Sequence, residues 1–397
     1  MTANSKRLII VQYGGDYRKT IQTINSTGIE TYHAQKYVVD NMIAMSKKVE
    51  EVILVCCQTE DRYNEVVYPG IRTIGAALDP FQENKLLCQI IAEQKPTHLV
   101  IHSPIPGLFN WAIKKQVKTL GLLADSFLKT GLRQRIKNYF LSYLLNNQYI
   151  EWVGNHGINS CLSLQSIGVN PDKIIPWDWH HDLTPHSYTP KKLPKRDVFN
   201  LVYVGALGKT KGVGEILEAI AILKQQKISV NLQLAGGGDT NYFIHQAENL
   251  KITENVQFLG LVPHQKVIDL MRQGDLVIVP SWHEYPEGFP LTIYEAFCAR
   301  TPLVASDHPM FRGNLQDGVN AMIFPAKNSL ALAASMTKLL SQPELYSNLS
   351  DAAADAWQQL QIPVKWADLI TAWVDASSDS LNWLYQHRLT SGLYDRK

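Results

Sequence analysis

Short, uninterrupted apolar runs alternate with longer stretches of helical periodicity along most of this chain. Leu8 to Val11, EVILVCC at 51–57 and KPTHLVIHSP, ending near residue 103, each suit a buried strand, and Tyr32 to Lys48 reads as a helix. This alternation predicts a parallel, doubly wound sheet whose ligands sit beyond the carboxyl ends of its strands. Gly14, Gly15, His102 and Ser103 would then share one edge. The pattern restarts in the second half, where VFNLVYVGALGKTKGVGEILEAIAILK reads as strand, glycine-rich loop and helix. VNLQLAGGGD, ENVQFLGLVPHQKVIDLM, Leu276 to Val279, TPLVASD and DGVNAMIFP complete a second domain, with Asp317 and Gly318 in a turn. HSYTPKKLPKRD, rich in proline and lysine, reads as the linker between the two. The segment from VKWADLITAWV through LNWLYQHRL is helical.

Composition narrows the class. A chain of 397 residues exceeds one ordinary core and suggests two domains, and 45% apolar with 19% charged residues is usual for a soluble globular enzyme. No stretch reaches about 18 consecutive apolar residues, and MTANSKRLIIVQYGG runs into a strand without a signal-peptide layout, so a cytoplasmic location is expected. Five cysteines, without metal-site spacing, fit a reducing compartment and no disulfide; Cys56 and Cys57 read as core. The net charge of +2 gives no general pull towards nucleic acid.

Residues 111–150 differ from the rest, holding five lysines and two arginines against the single acid Asp125. Arg133, Arg135 and Lys137 interleave there with Leu132, Ile136, Tyr139, Phe140, Tyr143 and Leu144. The pattern fits either a surface helix with a basic outer face or an amphipathic helix resting, peripherally, on the anionic inner face of a membrane.

The most informative stretch is SWHEYPEGFPLTIYEAFCAR, residues 281–300. Gly288 permits a tight turn, and Pro290 suits the first position of a helix, because its missing N–H would lack an intrahelical partner. Leu291, Ile293, Tyr294, Ala296, Phe297 and Cys298 give that helix a broad apolar face, while free amides at about 288–291 suit phosphate. Glu295 falls in the second turn, where a buried carboxylate needs a partner such as a sugar hydroxyl. Taken alone, Glu287 reads as a solvated loop residue and Glu295 as a helix-dipole partner.

With their neighbours, P-S, E-G-F-P and E-A, the two glutamates form an E-x7-E pattern that resembles the signature of the family-four retaining glycosyltransferases of GT-B fold, as found in bacterial polysaccharide biosynthesis. The resemblance extends over about 200–326 and is architectural in the N-terminal half. It implies two Rossmann-like domains facing a central cleft: an acceptor-binding domain over 1–190, a nucleotide-sugar domain over 191–365, and a C-terminal helix, 366–397, crossing back to the first. Gly205, Leu207, Lys211 and Gly212 match the family's G-R-L-x-x-x-K-G, but Ala206 stands where the arginine is usual. Lys211 would then hold the leaving diphosphate, and Lys209 reads either as a substitute for the lost cation or as a solvated loop charge. A Walker P-loop is disfavoured because Tyr203 occupies the position of its first glycine, and no G-x-G-x-x-G fingerprint follows any strand. The usual Pro-Asn-Gly-Val-Asp series is replaced after Pro176 by Trp177, Asp178, Trp179 and His180, residues that could form a sugar platform or plug the joint between domains.

The resemblance implies a hexose transfer from a nucleotide sugar, most often a UDP-hexose such as UDP-glucose, to a saccharide or lipid-linked saccharide. Glu287 and Lys211 would serve the reacting end. Gly15, Gly205, Lys209, Val262, Gly288, Phe289, Pro290, Leu291 and Glu295 would complete the donor site, with Glu295 on the ribose and the backbone near Val262 on the base. His102, Asp125 and His156 are candidates for the acceptor or sugar side. No cofactor and no metal are expected, and no two aspartates are spaced D-x-D. The alternatives are a nucleotide-sugar epimerase of the same architecture and a non-catalytic nucleotide-sugar-binding protein.

Overall fold

The computed structural model describes residues 6–30, 32–128 and 131–395, so Lys129 of the basic stretch lies outside them. Two compact units emerge, one made of the residues up to His180 together with those from Ile362 onward, the other of His181–Gln361.

The first unit is built on an eight-stranded sheet. Its strands are β1 (Arg7–Gln12), β2 (Glu51–Cys56), β3 (Tyr63–Tyr68), β4 (Ile71–Gly75), β5 (His98–Ile101), β6 (Lys118–Leu123), β7 (Ile150–His156) and β8 (Ile174–Trp177). Their order is β3-β4-β2-β1-β5-β6-β7-β8. All neighbours are parallel except β3, which pairs antiparallel with β4 at the edge. The central strands bury both faces, as parallel strands covered by helices must. Ile9 and Val11 enter one core and Leu8 and Ile10 the other.

The chain's return is fixed in this second core. Val364, Trp366, Leu369, Ile370 and Trp373 are buried there beside Leu8, Leu54 and Trp177. At the crossing point Asp178 N–H donates to the Val364 carbonyl (3.0 Å) and Trp366 N–H to that of Asp178 (3.1 Å). Trp177, in place of the usual small turn residues, is fully buried in this unit and donates through Nε1 to the Leu123 carbonyl (3.1 Å). The returning segment is two helices, Trp366–Asp375 and Ser378–Gln386, rather than one.

The second unit holds six parallel strands: β9 (Val198–Val204), β10 (Ser229–Ala235), β11 (Val256–Gly260), β12 (Leu276–Val279), β13 (Leu303–Ser306) and β14 (Met322–Phe324), in the order β11-β10-β9-β12-β13-β14. Leu201 and Tyr203 face one core and Val202 the other. The proline and lysine run is no slack linker. Lys191 donates from its backbone to Ser350 Oγ (2.7 Å) and from Nζ to the carbonyls of Arg272 (2.8 Å) and Gly274, while Arg300 Nε donates to the Pro185 carbonyl (3.0 Å).

Candidate functional site

The carboxyl edge of the six-stranded sheet is knitted by backbone contacts between its loops. Gly205 N–H donates to the Ala235 carbonyl (2.9 Å), Leu207 N–H to that of Gly237 (2.8 Å), Asp239 N–H to that of Leu207 (2.8 Å) and Gly236 N–H to that of Gly260 (2.8 Å). The loops after β9, β10 and β11 thus form one platform. Trp282 N–H joins the loop after β12 to it through the Thr210 carbonyl (2.8 Å). This last approach needs Gly212, whose φ is +76° and where a Cβ would lie 2.2 Å from the Pro280 carbonyl oxygen.

Lys211 ends a short turn of 3-10 helix on that platform, and Glu287 ends the loop after β12. Lys211 Nζ donates to both carboxylate oxygens of Glu287, at 2.9 and 2.7 Å, with both side chains largely buried. Ser281 Oγ donates to the same Glu287 Oε2 (3.0 Å), and the lysine ammonium lies 4.1 Å from the centroid of the Tyr285 ring. Beside them sits His308, fully buried. Its Nδ1 accepts from Met310 N–H (3.2 Å) and its Nε2 faces the Tyr285 carbonyl (3.1 Å), which requires the neutral tautomer protonated on Nε2. Burial lowers its pKa, so it stays neutral alongside the charged pair. Tyr203, whose hydroxyl donates to the Ala206 carbonyl (2.7 Å), has its pKa raised by burial and by the charge of Glu287. Lys209 has its ammonium 5.8 Å from the Trp282 ring centroid, and Lys327 lies 4.6 Å from the same ring.

The helix expected to begin with Pro290 spans Leu291–Cys298. Pro290 has ψ of 130° and is the residue before the first turn rather than its first member, because its carbonyl already accepts from Ile293 N–H (3.0 Å). Gly288, Phe289 and Pro290 are buried. Glu295 is buried in the second turn, with one carboxylate oxygen 3.4 Å from Nδ1 of His264. His264 opens the helix His264–Gln273 directly after Gly260, Leu261, Val262 and Pro263, so the loop after β11 and Glu295 meet. Sequence reading named Glu295 and met Ser281 only as the serine of P-S, without a role, and it missed His264, Tyr285 and His308. No motif marks these three, and the fold gives them their places beside Lys211, Glu287 and Glu295.

The first unit's candidates lie at the carboxyl ends of its strands, with differing surroundings. Gly15 has φ of +87° and open space at its Cα. His102 accepts at Nε2 from Trp366 Nε1 (3.0 Å) and stacks on that indole, and burial pushes its pKa down to about 3. His156 is buried with Nε2 3.1 Å from Asp178 Oδ1, and Lys365 Nζ lies 3.4 Å from the other oxygen of that aspartate. Both histidines are thus engaged within the unit.

Asp125 follows β6, where its main chain exchanges hydrogen bonds with the Asn155 side chain. Burial pushes its carboxyl pKa up to about 6. The native state then binds more protons than the unfolded chain between about pH 4 and pH 6, so this residue's contribution to stability falls as pH rises through that window. Asp125→Asn should therefore melt higher than the unmodified protein at neutral pH, with the gain disappearing near pH 4. Paired thermal melts across that range would show it; absence of any gain would place the carboxyl in water, and a gain independent of pH would mean that it does not come from ionisation.

These features define a two-sheet α/β protein with a loop platform at the carboxyl edge of its second sheet. Residues 188–356, within the second unit, match the model of the family of glycosyl transferases group 1. The chain is 34% identical over 146 residues to a phosphatidyl-myo-inositol mannosyltransferase of Mycobacterium leprae, covering 37% of this chain and 38% of that protein. It is 27% identical over 246 residues to an N,N'-diacetylbacillosaminyl-diphospho-undecaprenol alpha-1,3-N-acetylgalactosaminyltransferase of Campylobacter jejuni, covering 59% and 62%. The chain thus spans about half the length of the curated relatives it matches. In fold it is similar to Anabaena HepE solved with UDP and glucose, at a TM-score of 0.65 and 14% identity, over 94% of this chain and 100% of that one. The fold of the chain is of the GT-B class.

Proposed function

We propose that this protein is a retaining glycosyltransferase that moves a hexose from a UDP-sugar to a saccharide or lipid-linked saccharide in polysaccharide assembly, without a metal ion. The observation that carries the reading is the pairing of Lys211 with Glu287 at the loop platform, with Glu295 in the helix that follows, all inside the group 1 span. Support for the donor comes from the UDP in the complex of the similar fold, and for the acceptor from the lipid-linked sugar named for the Campylobacter relative.

In this reading Glu295 accepts hydrogen bonds from the ribose hydroxyls, main-chain groups near Val262 meet the base, and amides near Gly288 and Phe289 face the phosphates. Breaking the bond between the anomeric carbon and phosphate builds negative charge on the leaving diphosphate. Lys211 answers that charge, and it does so best where water is excluded. Its bond to Glu287 sets the starting state. Because Ser281 Oγ also donates to Glu287, the carboxylate keeps a partner when the ammonium turns towards phosphate, and it can then accept from a donor-sugar hydroxyl. The leaving phosphate takes the acceptor's proton on the same face, so no side-chain nucleophile is needed.

Calorimetric titration with UDP, GDP, ADP and UDP-glucose, all in EDTA, tests the donor. UDP should bind without metal; binding of none would count against a working nucleotide-sugar site in this chain. Glu295→Ala should weaken UDP binding about tenfold or more, the worth of a charge-assisted hydrogen bond. Unchanged affinity would remove Glu295 from the ribose.

A further inference from the structure

The helix Gly131–Leu145 buries Asn138, Leu141, Ser142, Leu144 and Leu145. Leu141, Leu144 and Leu145 enter the first unit's core, and the helix packs on the helix Pro106–Lys115 and on β7. What faces outward is unusual. Leu132, Ile136, Tyr139, Phe140 and Tyr143 are between 49% and 76% exposed. Their spacing, at about 100° per residue, puts all five in one arc roughly 100° wide on the side opposite the buried residues. Arg133 and Lys137 border this arc on one side and Arg135 on the other. All three are exposed.

We propose that this face is a docking surface for an anionic lipid bilayer, on which the helix lies parallel to the membrane plane. Charge complementarity selects lipid. There is no acid between Asp125 and Glu151, and exposed Lys114, Lys115 and Lys118 add to the same basic stretch in a chain whose net charge is only +2. The apolar arc has the depth for insertion at the boundary between headgroups and acyl chains, and Tyr139 and Tyr143 have apolar rings with polar tips suited to that boundary. Arg135 and Tyr139 also border a groove of about 390 Å³, completed by Asn138, Ser166 and Ile167, with room for a headgroup. Among the described residues no helix is long and apolar enough to cross a membrane, in keeping with a surface position.

Flotation of the full chain with vesicles of phosphatidylcholine, with and without phosphatidylglycerol, tests this directly. The chain should float with the anionic vesicles and be released as salt is raised. Combined Arg133→Glu, Arg135→Glu and Lys137→Glu should weaken that binding about 100-fold, given what each cation near an anionic surface contributes. Combined Ile136→Ser, Phe140→Ser and Tyr143→Ser should weaken it at least as much, while melting temperature stays unchanged because the altered side chains are exposed. Absence of binding by the unmodified chain, or binding that neither set of substitutions reduces, would overturn the assignment and point to a protein partner. The salt dependence requires no variant, so the test stands even if one set fails to fold. It is also independent of transferase activity.

Discussion

Lys211→Ala is expected to lower turnover about 100-fold and to destabilise the second unit by about 3 kcal/mol. The first figure is the loss of one charge-assisted contact to a developing anion in a water-poor site. The second follows from Glu287. With the ammonium gone, a largely buried carboxylate keeps, among the described residues, Ser281 Oγ as its side-chain donor in place of a two-pronged lysine contact, and removing one member of such a pair costs far more than the pair is worth. The two effects separate in a double variant. Lys211→Ala with Glu287→Ala should recover most of the melting temperature and none of the turnover, measured by thermal melts and by steady-state transfer from UDP-glucose. If the double variant stays as unstable as the single one, the pair does not hold the loop. Normal turnover in Lys211→Ala would transfer the diphosphate role to Lys209.

How far the sequence discloses this site depends on what each residue has to satisfy locally. Strands β1, β2, β5, β12 and β13 are legible because both faces are buried and the apolar run is unbroken. The edge strand β3, YNEVVY, has no fully buried residue and leaves no such trace. The helix Tyr17–Thr27 escapes for a similar reason: only Thr20 and Ile21 are buried, and its start is signalled by Asp16 accepting from Arg18 and Lys19 N–H. Lys211 and Glu287 can each be named from a motif, yet their mutual contact joins positions 76 apart in sequence. Neither motif contains the other. Pro290 illustrates a finer limit, since Pro suits both the residue before a helix and its first member, and only the ψ of 130° decides.

Gly236→Ala is expected to have the largest structural effect of any single methyl group in the second unit. Gly236 has φ of +146°, a region L side chains avoid, and a Cβ there would lie 1.8 Å from the Gly205 carbonyl oxygen. That oxygen belongs to backbone rather than to a mobile side chain, so the methyl group can be admitted only by parting the loops after β9 and β10. Parting them breaks the bonds from Gly205 N–H to Ala235 and from Gly236 N–H to Gly260, and the platform that carries Lys211 comes apart from the one that leads to Val262. Backbone strain alone costs about 1–3 kcal/mol, and each lost buried hydrogen bond about 1 kcal/mol more. Melting should therefore fall by many degrees, and UDP binding should be lost even at temperatures where the variant is folded. Gly237→Ala is the matched control. Its nearest added contact is a Leu261 methyl at 3.6 Å, an ordinary van der Waals distance, so both melting and UDP affinity should remain close to those of the unmodified protein. Equal behaviour of the two variants would mean that the loops are not held together at Gly236, and the platform would have to owe its shape to the core beneath it.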